Sequence, residues 1–153
     1  MPATDVVDAT TRSRMMRGIR SKNTQPEMIV RRGLHAAGLR FRIHDRRLSG
    51  TPDVVLPKYR AAVSVRGCFW HGHDCSYFRL PKTRSEFWRN KIESNRQRDA
   101  KNERELLVSG WRHATVWECA LRQRPKSDVD TVLGTLVSWV RSDQPTISIR
   151  GNR

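Results

Sequence analysis

Two thiols and two imidazoles fall within eight residues, between Cys68 and Cys75, in the run Gly67-Cys68-Phe69-Trp70-His71-Gly72-His73-Asp74-Cys75. Zinc takes four nitrogen or sulfur ligands in a tetrahedron, and three Cys with one His is a common closed set. Cys119 can supply the third sulfur, because it follows an apolar strand able to return to the same place. Two histidines compete for the fourth position. His73 stands two residues from Cys75, which lets both side chains point inward in a tight knuckle and leaves His71 spare. Such a metal is structural, a staple for a polar, glycine-rich loop. A second chemistry starts at Pro52-Asp53. Magnesium-dependent nucleases place an acid at the opening of a strand, where a hard oxygen ligand meets the metal beside the scissile phosphate. The usual companions are an acid and a lysine two residues apart on the next strand. Here Ser64 and Arg66 stand at that spacing, on the strand face opposite Val63 and Val65. Pro-Asp alone is an ordinary turn signal and gains meaning only from its neighbours.

Phe69 and Trp70 lie between metal-ligand candidates, off any periodic apolar element. They either cover the metal or wedge between base steps of a duplex. Trp88, Lys91, Asn95 and Asp99 are spaced by three, four and four, so they share one helix face. That face suits the reading of base edges or simple solvation. Charge points to nucleic acid as the partner. The 153 residues hold 30 Lys+Arg against 15 Asp+Glu, a net charge of +15. Of those cations 24 are Arg, whose planar fork fits phosphate. Three cysteines cannot pair evenly, which argues against a disulfide framework and for the reducing cytoplasm. No apolar run reaches membrane-span length and no secretory signal is visible, so no membrane partner is expected.

The elements that must position these residues are legible in outline. Residues 1–22 read as a basic arm that orders only on a partner. A helix should begin near Thr24, where Thr24 and Glu27 have capping-box spacing and Pro26 suits the first turn, and end at Gly38. Glu27 sits at the edge of its Val30, Leu34 and Ala37 stripe. Leu39, Phe41 and Ile43 alternate with Arg40, Arg42 and His44 as a strand. Asp53 to Leu56 and Ala61 to Arg66 form a hairpin around Pro57. Thr83 and Glu86 repeat the capping-box spacing and predict a long helix up to Gly110. Trp111 to Trp117 is a third apolar strand, and Val129 to Val140 a final helix. The folded domain thus spans 23–141, and 142–153 reads as a polar tail. Helices flanking a small mixed sheet make the class α/β.

Together these residues resemble the very-short-patch repair (Vsr) endonuclease family. The matching segments are GTPDVVL, VSVRGCFWHGHDC, TRSEFWRNKI and GWRHATVWECAL, in that order, within a likeness from about Thr10 to Trp139. The resemblance implies a restriction-endonuclease-like fold with a structural zinc site and makes 23–141 an endonuclease domain. It implies a magnesium-dependent enzyme that nicks duplex DNA 5′ of the thymine in T:G mismatches, which arise when 5-methylcytosine deaminates. It also implies action as a monomer, with mismatch-repair proteins as candidate partners. Carried over by position, Asp53 matches the magnesium-binding aspartate and His71 the catalytic histidine. Glu27 and Asp99 match acids that support the site through water or hydrogen bonds. Cys68, His73, Cys75 and Cys119 match the zinc ligands. Phe69, Trp70 and Trp88 match the wedging aromatics, and Lys91 and Asn95 match residues at the mismatched pair. The arm with Met16 matches a segment that closes over the opposite groove.

One departure touches the chemistry. The best-known member has Thr-His where this chain has Val65-Arg66. The Val65 backbone carbonyl can still bind magnesium, since no particular side chain is needed. Arg66 stays protonated and cannot act as a general base, but it can hold charge developing on phosphate. Three alternatives stand beside this reading. One is a zinc-stapled module that marks distorted DNA without cutting, and another is a nuclease of the same fold with a different specificity. The third, a zinc-bearing RNA-binding protein, leaves Asp53, Glu27 and Asp99 unexplained.

Overall fold

A computed structural model describes residues 23–151; the basic arm and Met16 lie outside the described residues. The first helix, α1 (Gln25–Ala36), starts where the capping pattern requires. The Thr24 amide donates to Glu27 Oε2 at 2.9 Å, and the Glu27 amide donates to Thr24 Oγ1 at 3.5 Å. This reciprocal cap fixes Glu27 at the mouth of the helix while Val30 and Leu34 face the core. The chain turns at Gly38, whose φ of +79° suits a residue without Cβ. The next strand, β1, covers only Arg42–Ile43, shorter than the alternation predicts. Leu39 is the reason: its amide is spent on the Leu34 carbonyl at the helix end, at 3.1 Å, so it cannot enter a ladder.

β2 (Val54–Leu56) and β3 (Ala61–Arg66) form the expected antiparallel hairpin, with Val54 opposite Val63 and Leu56 opposite Ala61. The long helix α2 (Ser85–Val108) follows the irregular segment 67–84. Its predicted Thr83–Glu86 cap is not formed. Arg84 takes the turn instead, at φ +56°, with its guanidinium 4.4 Å from the Phe87 ring. The helix ends before Gly110, as expected. β4 (Arg112–Trp117) then runs parallel to β3, and α3 (Lys126–Val140) leads to β5 (Thr146–Ile149), parallel to β4. The reading of 142–153 as a polar tail is therefore corrected. Ile147 and Ile149 alternate with Thr146 and Ser148, a pattern two apolar residues long and too brief to stand out, yet they complete the sheet edge.

The five strands lie in the order β1-β2-β3-β4-β5. Alternation gives the sheet two unlike faces. Val54, Leu56, Val63, Ala114 and Val116 form the core with Val30 and Leu34 of α1 and Leu136, Trp139 and Val140 of α3. The opposite face carries Ser64, Arg66, His113 and Thr115, and α2 meets this polar face. A cavity results where the polar face, α2 and the start of α1 converge. No helix among the described residues is long and apolar enough to cross a membrane.

Candidate active site

The cavity holds about 860 Å³ and is lined by Glu27, His44, Asp53, Ser64, Val65, Arg66, His71, Lys91, Asn95, Asp99, Glu103 and His113, among others. Asp53 enters it from the residue before β2. Its Oδ2 accepts a hydrogen bond from the Val65 amide at 2.7 Å, which ties the carboxylate to β3. Burial, then the neighbouring Glu27 carboxyl, push Asp53 up to about 8 from its ordinary 3.8. Burial also opposes ionisation of Glu27. There the hydrogen bonds from Asp53 and from the Thr24 amide outweigh it and hold Glu27 below its usual range. Without a cation the two carboxyls therefore share one proton. His44 completes the group: its Nε2 lies 3.7 Å from Glu27 Oε1 and 4.0 Å from Asp53 Oδ1. Sequence reading assigns His44 no role, because it stands there as one more polar residue on the wet face of an expected strand, whereas it falls just after β1. Two crowded carboxyls and an imidazole form a donor set that fits a divalent cation in place of the shared proton.

On the other side of the cavity, His71 Nδ1 meets Asp99 Oδ2 at 2.5 Å, and Arg66 Nε approaches the same oxygen at 4.0 Å. Asp99 thereby orients one ring nitrogen of His71 and leaves the other to the cavity. Between the two groups lies an array that sequence reading missed. Ser64 Oγ is 2.9 Å from His113 Nε2, and His113 Nδ1 is 2.8 Å from Glu103 Oε1. His113 is 1% exposed, so both ring nitrogens depend on these partners. His113 sits in an apolar-looking strand, and only its pairing beside β3 brings it to Ser64.

The second cluster is built by the loop after β3. The ligand atoms of Cys68, His73, Cys75 and Cys119 all lie within 4.8 Å of one another. This resolves the competition between histidines, since His73 joins the thiols while His71 pairs with Asp99. Burial, then the neighbouring thiols, raise the Cys68 thiol far above its usual range; burial raises Cys119 as well. Thiols crowded in this way fit a cation that would hold them as thiolates. Neighbouring groups brace the cluster. The Trp117 ring stacks on His73 at 4.0 Å and 9°. Glu118 Oε1 accepts from the Cys68 amide at 3.2 Å. From beyond β5, the Gly151 amide donates to Cys119 Sγ at 3.3 Å, and Arg150 grips Asp74 at 2.6 Å.

Phe69 and Trp70 do not take the stacking role on His73. They pack on Trp88 with centroids 5.6 and 5.8 Å away and on each other at 5.2 Å, forming a half-buried aromatic prow beside the cavity. Asn95 Nδ2 donates to the Trp70 carbonyl at 2.9 Å, which fixes the prow to α2, and Lys91 faces the cavity one turn earlier.

Two crowded carboxyls with an imidazole, an oriented histidine, an arginine and an aromatic prow on a strongly cationic chain are the groups that cleavage of a nucleic-acid backbone needs. Comparisons with known proteins agree. Residues 4–77 match the family described as DNA mismatch endonuclease Vsr. The chain is 50% identical over 118 residues to the type II nicking enzyme V.XorIIP of Xanthomonas oryzae pv. oryzae, covering 77% of this chain and 87% of the relative. It is 45% identical over 121 residues to the type II nicking enzyme V.NmeAIP of Neisseria meningitidis, covering 79% and 86%. It is 43% identical over 136 residues to the DNA mismatch endonuclease Vsr of Escherichia coli strain K12, covering 89% and 87%. The protein is a DNA nicking endonuclease. It belongs to the Vsr family.

Proposed function

We propose that this endonuclease recognises T:G mismatches left by deamination of 5-methylcytosine and nicks the duplex 5′ of the thymine, starting a very short patch of repair. It does so as a monomer in the cytoplasm, where its three thiols stay reduced, on a restriction-endonuclease-like scaffold, with mismatch-repair proteins as partners. The observation that carries the reading is the convergence of Asp53, Glu27, Arg66 and the His71–Asp99 pair in one cavity beside the Phe69–Trp70–Trp88 prow.

Asp53, the Val65 carbonyl and Glu27 would hold magnesium, which supplies positive charge to the scissile phosphate and acidifies water. His71, held by Asp99, takes the proton of the attacking water or gives one to the leaving oxygen. Arg66 stays charged throughout and binds the oxygens on which negative charge builds. Phe69, Trp70 and Trp88 enter the base stack; unstacking costs a few kcal/mol per step, and a T:G wobble yields more readily than a matched pair. Lys91 and Asn95 meet the exposed base edges, while the arm with Met16 closes the opposite groove. Zinc on Cys68, His73, Cys75 and Cys119 would hold the segment that presents the prow and His71.

Incubation with T:G and T:A duplexes in magnesium, beside Asp53→Ala, tests the reading. Nicking of the T:G duplex alone, lost in Asp53→Ala, is expected. Equal cutting of both duplexes refutes mismatch selection, and full activity of Asp53→Ala refutes the metal assignment.

A further inference from the structure

The residue that makes this cation site unusual is His44. It follows β1 in the left-handed region, at φ +49°, a turn that histidine tolerates better than most residues. Its amide donates to the Asp53 carbonyl at 3.2 Å, so strand pairing fixes it beside Asp53, while the helix cap brings Glu27 from the other direction. The side chain is 9% exposed, and it faces two carboxylates rather than solvent. One ligand atom from each of Glu27, His44 and Asp53 lies within 4.8 Å of the other two.

Arg31 packs against the His44 ring. Its Nη2 lies 3.3 Å from His44 Nε2. Nε2 is the ring nitrogen turned toward both carboxylates, the atom that an imidazole ligand would present to a cation between them. The same Arg31 Nη2 lies 3.8 Å from Glu27 Oε2, so a bound cation would replace the guanidinium on both groups, while Nη1 donates to Asn23 Oδ1 at 2.7 Å and offers Arg31 a separate anchor. Adjacent ligands of an octahedral ion stand about 3 Å apart. The imidazole therefore has to close by about 1 Å or less, from 3.7 Å to Glu27 and 4.0 Å to Asp53.

We infer that His44 is a direct nitrogen ligand of the cation held by Asp53 and Glu27, which tunes the site toward manganese and other imidazole-binding divalent ions over magnesium. This rests on the reading of Asp53 as a metal-holding carboxylate and goes beyond it. A pure oxygen site suits magnesium, whereas one imidazole raises affinity for first-row transition ions without excluding magnesium.

The test uses the full chain with one equivalent of zinc in the thiolate cluster and Mn²⁺ as the probe. Pulsed EPR of the bound Mn²⁺ is expected to show ¹⁴N coupling that disappears in His44→Gln. Calorimetry is expected to show Mn²⁺ affinity falling about tenfold in that variant, with Mg²⁺ affinity little changed. Binding that is lost in Asp53→Asn but lacks nitrogen coupling, or keeps it in His44→Gln, overturns the role of His44 and leaves Asp53 as a ligand. No Mn²⁺ bound by the parent protein overturns both.

Discussion

Replacing Asp53 by Asn isolates the electrostatics of the cavity. In protein without added magnesium, burial and then the Glu27 carboxyl raise Asp53 to about 8, against 3.8 in the unfolded chain. The folded state binds that proton more tightly. Stability from this group is therefore complete below the unfolded value and is lost as pH rises through the folded one. Each pH unit between the two values costs up to about 1.4 kcal/mol. Glu27, whose pKa is lowered, contributes in the opposite sense, but its contribution is already complete above the ordinary carboxylate range and stays level. The Asp53 side chain is 21% exposed, so solvent screens the effect little. From about pH 5 to about pH 7 the parent protein should lose about 2.5 kcal/mol through Asp53, or about 5–10 °C in Tm. The amide introduced by Asp53→Asn keeps the contacts, because its oxygen accepts from the Val65 amide and its NH₂ donates to Glu27, yet it cannot titrate. Urea unfolding followed by circular dichroism across this pH range, with Asp53→Asn as the reference, reads the difference directly. Parallel pH profiles for the two proteins would refute the shared-proton pair.

Four further outcomes follow from the same geometry. Prolonged chelation should remove one zinc per chain and lower Tm by about 10 °C or more, since structural zinc binding rivals a domain's whole stability; a Tm unmoved by metal removal contradicts the cluster. Gly72→Ala should destabilise by about 2–4 kcal/mol, because at φ +63° its Cβ would also meet Ile92 Cγ2 at 2.7 Å, whereas Gly110→Ala, at φ +88° with open space, should cost about 1 kcal/mol in the same urea titration. His113→Val should cost about 1–3 kcal/mol by leaving Ser64 without its partner, and adding Ser64→Ala should recover part of the loss in a double-mutant cycle. His71→Ala should slow single-turnover nicking by about 10²–10⁴ with DNA affinity unchanged in a filter-binding assay; an equal loss of affinity would assign His71 to binding instead.

Local sequence rules determined what depends on neighbours along the chain. The Thr24–Glu27 cap, the hairpin around Pro57 and the stop of the long helix at Gly110 are settled by hydrogen bonds and backbone preferences within a few residues. The clustering of Cys68, His73 and Cys75 was visible because a tight metal knuckle needs close spacing. The composition, rich in Arg, already named the polyanionic partner. What only the tertiary structure decided depends on which strands lie side by side. Pairing of β3 with β4 brought His113 to Ser64, and the turn after β1 brought His44 to Asp53 and Glu27. It also turned 146–149 from a tail into a strand and set Gly151 against Cys119. These contacts join residues far apart in sequence whose types are ordinary where they stand. Their chemistry exists only because a folded sheet removes water and distance between them, and no periodicity or spacing in the chain carries that information.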